Sequence, residues 1–288
     1  MKSSETICPG DLLGDRAHFS HQLFTLCAVI RNAFLVMLAY RLRYVTGILT
    51  YLLFVSVHYF VWQAVFSGHE PGERINGFTF PEMITYLTIG WISRSLYFSN
   101  IDYDIDEIVR SGHIATYLLR PVNFQAFMVA NAIGEALFRF LLFTIPIGAV
   151  ICFIFPVTLP STLNDGVLFS LSTVLGFFIL AQLNFLVGLL AFVFKSIDGI
   201  IRGKYYLTQL CSGLLLPFSF FPSWLRVIVD LLPFQTIAHV PLQLYLGKFS
   251  NSQAHDAILL QIFWLAVLSI ACAFAWKKAT QFLTLQGG

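Results

Sequence analysis

The chain has 288 residues, of which 57% are hydrophobic and 11% charged, with a mean hydropathy of +0.77 and a formal net charge of +2. A soluble domain carries about 25% charged residues, so the composition argues against an ordinary soluble enzyme and points to an all-α integral membrane protein. The small net charge gives no footing for a nucleic-acid partner, and five cysteines without a CxxC pair or a Cys/His cluster argue against a zinc centre or a redox dithiol.

Residues 1–20 carry Glu5, Asp11, Asp15 and Arg16 and no continuous apolar run, so no cleavable leader is expected. Residues 22–43, QLFTLCAVIRNAFLVMLAYRLR, hold two apolar runs split by Arg31 and Asn32. A charge at the centre of a span is costly, so an interfacial helix is expected, with a seventh span as the alternative. Residues 44–68 contain no Asp, Glu, Lys or Arg and form the first span. A Gly- and Pro-containing loop follows. Residues 81–99 form a weaker second span with Arg94 inside it.

Residues 124–155 are too long for one crossing of about 30 Å at a rise of about 1.5 Å per residue. Their last stretch is expected to cross as the third span. Residues 166–194 are the fourth. KSIDGIIRGK, from Lys195, reads as a solvated charged loop. Residues 205–221 form a short fifth span with Gly213 and Pro217. An amphipathic stretch broken by Pro222, Pro233 and Pro241 comes next, and residues 257–276 are the sixth span, closed by Lys277 and Lys278. The expected division is residues 1–43, an N-terminus with an interfacial helix, and residues 44–288, one six-span domain. Six spans put both termini on one side. That side collects twelve basic residues, whereas only Arg74, Arg226 and Lys248 fall opposite. The positive-inside rule then makes both termini cytoplasmic.

No catalytic, metal or cofactor site is expected in this chain. GIIRGKYY, from Gly199, has three residues between its glycines and Tyr205 after Lys204, whereas a P-loop needs four and then Ser or Thr. IDGIIRG echoes the Asp-Gly start of a membrane head-group transferase, yet no further Asp follows before Asp230. His58 has no acidic partner on its own helix.

Three charges fall inside spans: Arg94, Glu135 and Arg139. Glu135 and Arg139 are spaced i, i+4 and share a helix face. All three are expected near the cytoplasmic end of spans two and three, as a polar gate or as a structural clamp, with Glu135 paired to one of the arginines.

The segment between those spans begins with Asp102, Asp104, Asp106 and Glu107. Ile105, Ile108 and Val109, then Ile114, Tyr117 and Leu118, follow at helical spacing. Ser111-Gly112 interrupts the pattern, and Pro121 ends it. Anionic lipid would repel the acidic start, so a groove in a partner protein is the better docking place. Ile114 and Tyr117 are the candidate anchors, and Glu107 and Arg110 the candidate rim.

SGHIATYLLRPVN, from Ser111, resembles the first cytoplasmic loop of ABC-2-type permeases, the membrane subunits of ATP-binding-cassette exporters. It looks like a bacterial branch with SG-x-(I/L)-x-x-YLLRP after the second span. SGLLLPFSFFPSWLRVIVDLLPFQ, residues 212–235, is similar to the segment after that family's fifth span. The resemblance covers essentially the whole chain. It implies that Asp106, Glu107, Arg110, Ile114, Tyr117, Leu118, Arg120 and Pro121 form a coupling helix for an ABC ATPase, present in two copies, which uses ATP and Mg. It further implies a second permease chain, identical or paralogous, and a bacterial cytoplasmic (inner) membrane location. Re-entrant helices are implied around Gly213, Pro217, Pro222, Trp224 and Pro233. An apolar, Phe-rich cleft would suit hydrophobic or amphipathic cargo. The rival readings are a lipid-modifying membrane enzyme and a non-transporting scaffold.

Overall fold

A computed structural model describes residues 9–39, 42–70 and 72–286 of the chain. The fold is all-α, and no strand occurs among the described residues. α1 (Pro9–Ala39) and α2 (Leu42–Phe66) precede α3 (Phe80–Tyr97). α4 (Ile101–Arg110) and α5 (Ile114–Leu118) are short and lead into α6 (Phe124–Arg139) and α7 (Ile145–Ile154). α8 (Leu163–Gly188) and α9 (Asp198–Cys211) follow, then α10 (Ser223–Asp230), α11 (His239–Tyr245) and α12 (Asn251–Gln286).

Five stretches among the described residues are long and apolar enough to cross a membrane: Gln22–Ala39, Leu49–Phe66, Phe124–Ile154, Leu163–Phe192 and Asn251–Gln281. The segments Ser223–Asp230 and Pro233–Tyr245, bent by 75°, make a sixth candidate, as a broken or re-entrant span. The chain is therefore a multi-pass membrane protein.

α3 begins with a strong stop-and-start signal. Thr79 caps it, the Glu82 side chain accepts a bond from the Thr79 amide at 3.0 Å, and Pro81 occupies the first turn. Met83, Ile84, Thr85, Tyr86 and Leu87 are all buried in succession, so protein surrounds this helix on every side. That explains its modest hydropathy. A helix shielded from lipid can carry Thr85, Ser93 and Ser95 as long as each is bonded. Thr85 meets Thr158 at 3.0 Å, and Ser93 and Ser95 bond back to Gly90 and Ile92 carbonyls.

α6 and α7 are one continuous apolar stretch interrupted by a π turn, Phe140–Thr144. Pro146 sits at the start of α7. Its ring lacks an N–H and would crowd the carbonyl of Leu142 in a regular helix, and a π turn relieves both problems.

Two expectations about boundaries change. The interfacial helix expected over residues 22–43 is instead the later part of α1, which ends at Ala39. Gln22–Ala39 is long and apolar enough to cross a membrane, as in the alternative of a further span, with Arg31 on its exposed face, and the helix lies along α6. The short fifth span at 205–221 is not a helix of that extent. α9 starts at Asp198 and stops at Cys211, because Gly213 takes φ +77° and Pro217 follows. Fourteen residues reach only about 21 Å, short of a crossing.

The α1–α6 contact depends on Gly134. A Cβ there would sit 2.3 Å from the Ile30 carbonyl oxygen and 2.7 Å from the Ala33 methyl. Gly134→Leu should therefore push α1 off α6 and lower stability by roughly 1–3 kcal/mol. Thermal melting in detergent and protease sensitivity of α1 measure the effect.

Candidate functional site

The segment between α3 and α6 is held by a polar junction. Asp102, in the first turn of α4, is 1% exposed and bonds the ammonium of Lys204 from α9. Lys204 also donates to Oδ1 of Asn184 on α8. Asn184 in turn donates from Nδ2 to the Ser99 carbonyl and hydroxyl, both at 2.9 Å. Three helices and the α3–α4 link meet here through four side chains. The fit is close, since a Cβ on Gly188 of α8 would lie 3.1 Å from the Asp102 Cα. The sequence pattern places Lys204 in a solvated turn, and the structure corrects this. Its partners lie 102 and 20 positions away, which no local pattern reveals.

Ile101, Asp102, Ile105 and Asp106 form the buried face of α4. Glu107 and Arg110 lie on its exposed side. Arg110 reaches Asp106 at 3.4 Å and Asp198 of α9 at 3.7 Å. Gly112, with φ +75°, breaks the helix, so α4 and α5 are separate elements. This break rotates the faces of α5 away from the continuous-helix pattern. Ile114 is 5% exposed, and Tyr117 packs edge-on against Phe124 and Phe127 at 5.9 and 5.3 Å. Arg120 lies over the Tyr117 ring at 4.6 Å. Ile114 is thus an internal anchor, contrary to the expectation that it faces a partner, whereas Tyr117 is half-buried against α6. The apolar side chains that do face outward are Leu118 and Leu119, the latter 86% exposed. Pro121 is exposed in the turn that leads to α6.

The three charges expected inside spans do not form one cluster. Arg139 pairs with Glu135 at 3.2 Å. It also donates to the carbonyls of Ser95 and Phe98 at 2.9 and 2.6 Å, which ties α6 to the C-terminal end of α3. Arg94 lies apart from Glu135. Its guanidinium faces the rings of Trp91, Phe98 and Tyr205 at 5.3, 5.1 and 5.7 Å. It donates to the Tyr205 hydroxyl at 2.8 Å and contacts that of Tyr51 at 3.5 Å. Phe98 is shared, because Arg139 lies 5.9 Å from the same ring.

After α9 the backbone turns back repeatedly. The Gly213 carbonyl accepts from the Tyr86 hydroxyl at 2.7 Å, and the Ser212 carbonyl accepts from the His239 amide at 2.9 Å. His239 also meets the Tyr86 hydroxyl at 3.1 Å and stacks on Phe218 at 4.3 Å. Pro217 and Pro222 flank a 3₁₀ turn before α10, and Pro233 opens another after it. Trp224 lies on the exposed face of α10. Irregular backbone at membrane depth needs such internal bonding. Sequence alone does not single out Tyr86 or His239, since neither sits in a local motif.

No group of three or more His, Cys, Asp or Glu side chains suited to a metal occurs among the described residues. A family model for the ABC-2 family of transporter proteins matches residues 52–287. The match spans most of the chain, which belongs to this family and is a permease of an ABC transporter. No curated protein and no solved structure matches it.

Two outcomes follow from this geometry. Asp102→Ala leaves Lys204 as an uncompensated buried charge and should cost about 3–5 kcal/mol, with some of the loss recovered when Lys204→Met is added. Melting of the single and double variants in detergent measures the coupling.

The Asp104 carboxyl, outside the spans, is pushed up to about 7 by burial and then by Glu135, Asp102 and Glu107. The folded protein then holds this proton more tightly than the unfolded chain. Its contribution to stability is complete below the ordinary carboxylate range and is lost as the pH rises to about 7. Asp104→Asn should flatten that decline and raise stability at pH 8 by roughly 1–2 kcal/mol, a value discounted for partial solvent access. Melting curves from pH 4 to pH 8 test the sign.

Proposed function

We propose that this chain is the permease half of an ABC exporter and that α4 and α5 dock on a separate ATPase subunit. The observation that carries the reading is one of placement. α4 is fixed to α8 and α9 by the Asp102–Lys204–Asn184 junction, while Glu107, Arg110, Leu118 and Leu119 are turned outward. A partner that grips the outward face would move the spans through the inward one. Arg120 and Pro121 set the angle at which this segment enters α6.

In this reading two ATPase copies bind ATP and Mg, and two permease chains, identical or paralogous, form the translocation cleft. Both termini lie in the cytoplasm of a bacterial cell, with the chain in the inner membrane. ATP-driven approach of the two ATPases draws the two α4–α5 segments together and closes the cleft. Hydrophobic or amphipathic cargo leaves past the broken segment from Gly213 to Pro233. The Glu135–Arg139 pair serves as a clamp between α6 and α3, since each of the three Arg139 nitrogens has a protein acceptor.

Docking interfaces rest on a few buried apolar anchors, while exposed charge pairs contribute about 0–1 kcal/mol. Leu118→Asp with Leu119→Asp should abolish co-purification of the ATPase and leave insertion and melting unchanged. Glu107→Ala should weaken capture only slightly. Full capture by the double variant would remove this segment as the docking element.

A further inference from the structure

We propose that the polar cavity between the α3–α4 link and α9 binds the anionic group, phosphate or carboxylate, of an amphipathic molecule, with Arg94 as its principal cation. The cavity is about 430 Å³ and is lined by Arg94, Asp102, Tyr103, Arg202, Lys204 and Tyr205, among others. Three of these are cations and one is an acid. Asp102 is already taken by Lys204. Arg94 has no carboxylate within ion-pair distance among the described residues. Its ring contacts are worth about 0.5–2 kcal/mol each and leave its charge uncancelled. An ion at the membrane boundary without a counter-charge is costly, so a bound anion would relieve it.

The hydrogen-bonding direction points the same way. The Tyr205 hydroxyl accepts from Arg94 at 2.8 Å and from the Gln209 amide at 2.6 Å. With its oxygen engaged as an acceptor, its own proton is available to donate. Arg94, Arg202 and Tyr205 thus supply donors around one space, and a phosphate or carboxylate supplies acceptors only.

The amphipathic character of the ligand is assigned from α9. Tyr206 lines the cavity, and Leu210 is one turn further along the same face. Both are exposed, with Leu207 beside them. A headgroup held at Arg94 would lay its tail along this apolar stripe. The binding site stands on its own geometry. Its role as a cargo site rests on the permease reading.

Native mass spectrometry of the full chain in detergent, titrated with dioleoylphosphatidic acid or dioleoylphosphatidylcholine, tests the proposal. Wild-type protein should retain the anionic lipid at least about tenfold better, the gain expected of one good ion contact. Arg94→Gln should lose that preference, and Arg94→Lys should keep most of it. If Arg94→Gln does not fold, as judged by melting, the Arg202→Gln/Tyr205→Phe double variant decides in its place and should lose the preference too. Inorganic phosphate is added in a parallel arm. Displacement of the lipid by millimolar phosphate supports the anion site and assigns it to the headgroup charge alone. Resistance to displacement supports the same site with the tail contributing. Equal retention of the two lipids by wild-type protein, or an undiminished preference in the deciding variant, overturns the proposal. This assay contains no ATPase. Its failure leaves the docking reading intact, and failed ATPase capture leaves the anion site intact.

Discussion

A charge buried beside a membrane must find its partner inside the protein, and the Lys204 ammonium does so in a way that organises its surroundings. Its bonds to Asp102 and Asn184 bring α4, α8 and α9 to one point, and Asn184 extends the link to Ser99 at the end of α3. Removing one member would leave the others short of a partner. The geometry of α4 is therefore not a local property of its own ten residues. It is imposed by groups on two distant helices.

Arg139 has a similar role on α6. By capping the carbonyls of Ser95 and Phe98 and pairing with Glu135, it fixes where α3 ends and how α6 leaves the α4–α5 segment. With both ends held, the segment presents an outward face whose apolar content is concentrated at Leu118 and Leu119. Arg94 stands between the two anchors and has a different environment, aromatic rings and hydroxyls instead of carboxylates. An ion that stabilises structure is paired. Arg94 is instead shielded by groups that do not neutralise it.

Much of the architecture is legible in the sequence because membrane physics acts through composition. Most of the uncharged run of residues 44–68 lies in α2, the run from 166 lies largely in α8, and the final apolar stretch lies in α12. The i, i+4 spacing of Glu135 and Arg139 pairs them correctly, and the Ser111-Gly112 signal marks a real break. What is not legible has one physical source. An apolar helix face can turn to a partner or to its own core, so spacing alone offers Ile114 to a partner although it is buried. Lys204 has charged neighbours in sequence that suggest solvent, although its partners lie on other helices. The depth of Arg94 in its span does not supply its partners either, since Tyr205 is 111 positions away.

α4 is in these terms a lever held rigidly to the spans by its polar junction. The direct measurement is an electron-spin distance distribution between labels at Glu107 on α4 and at Gly199 on α9, where the space around Cα is open, after replacement of the native cysteines. A rigid lever predicts one narrow distribution in the otherwise unaltered protein and a broad one when Lys204→Met is added. Equally narrow distributions in both would contradict it, because α4 would then be held by something other than the junction.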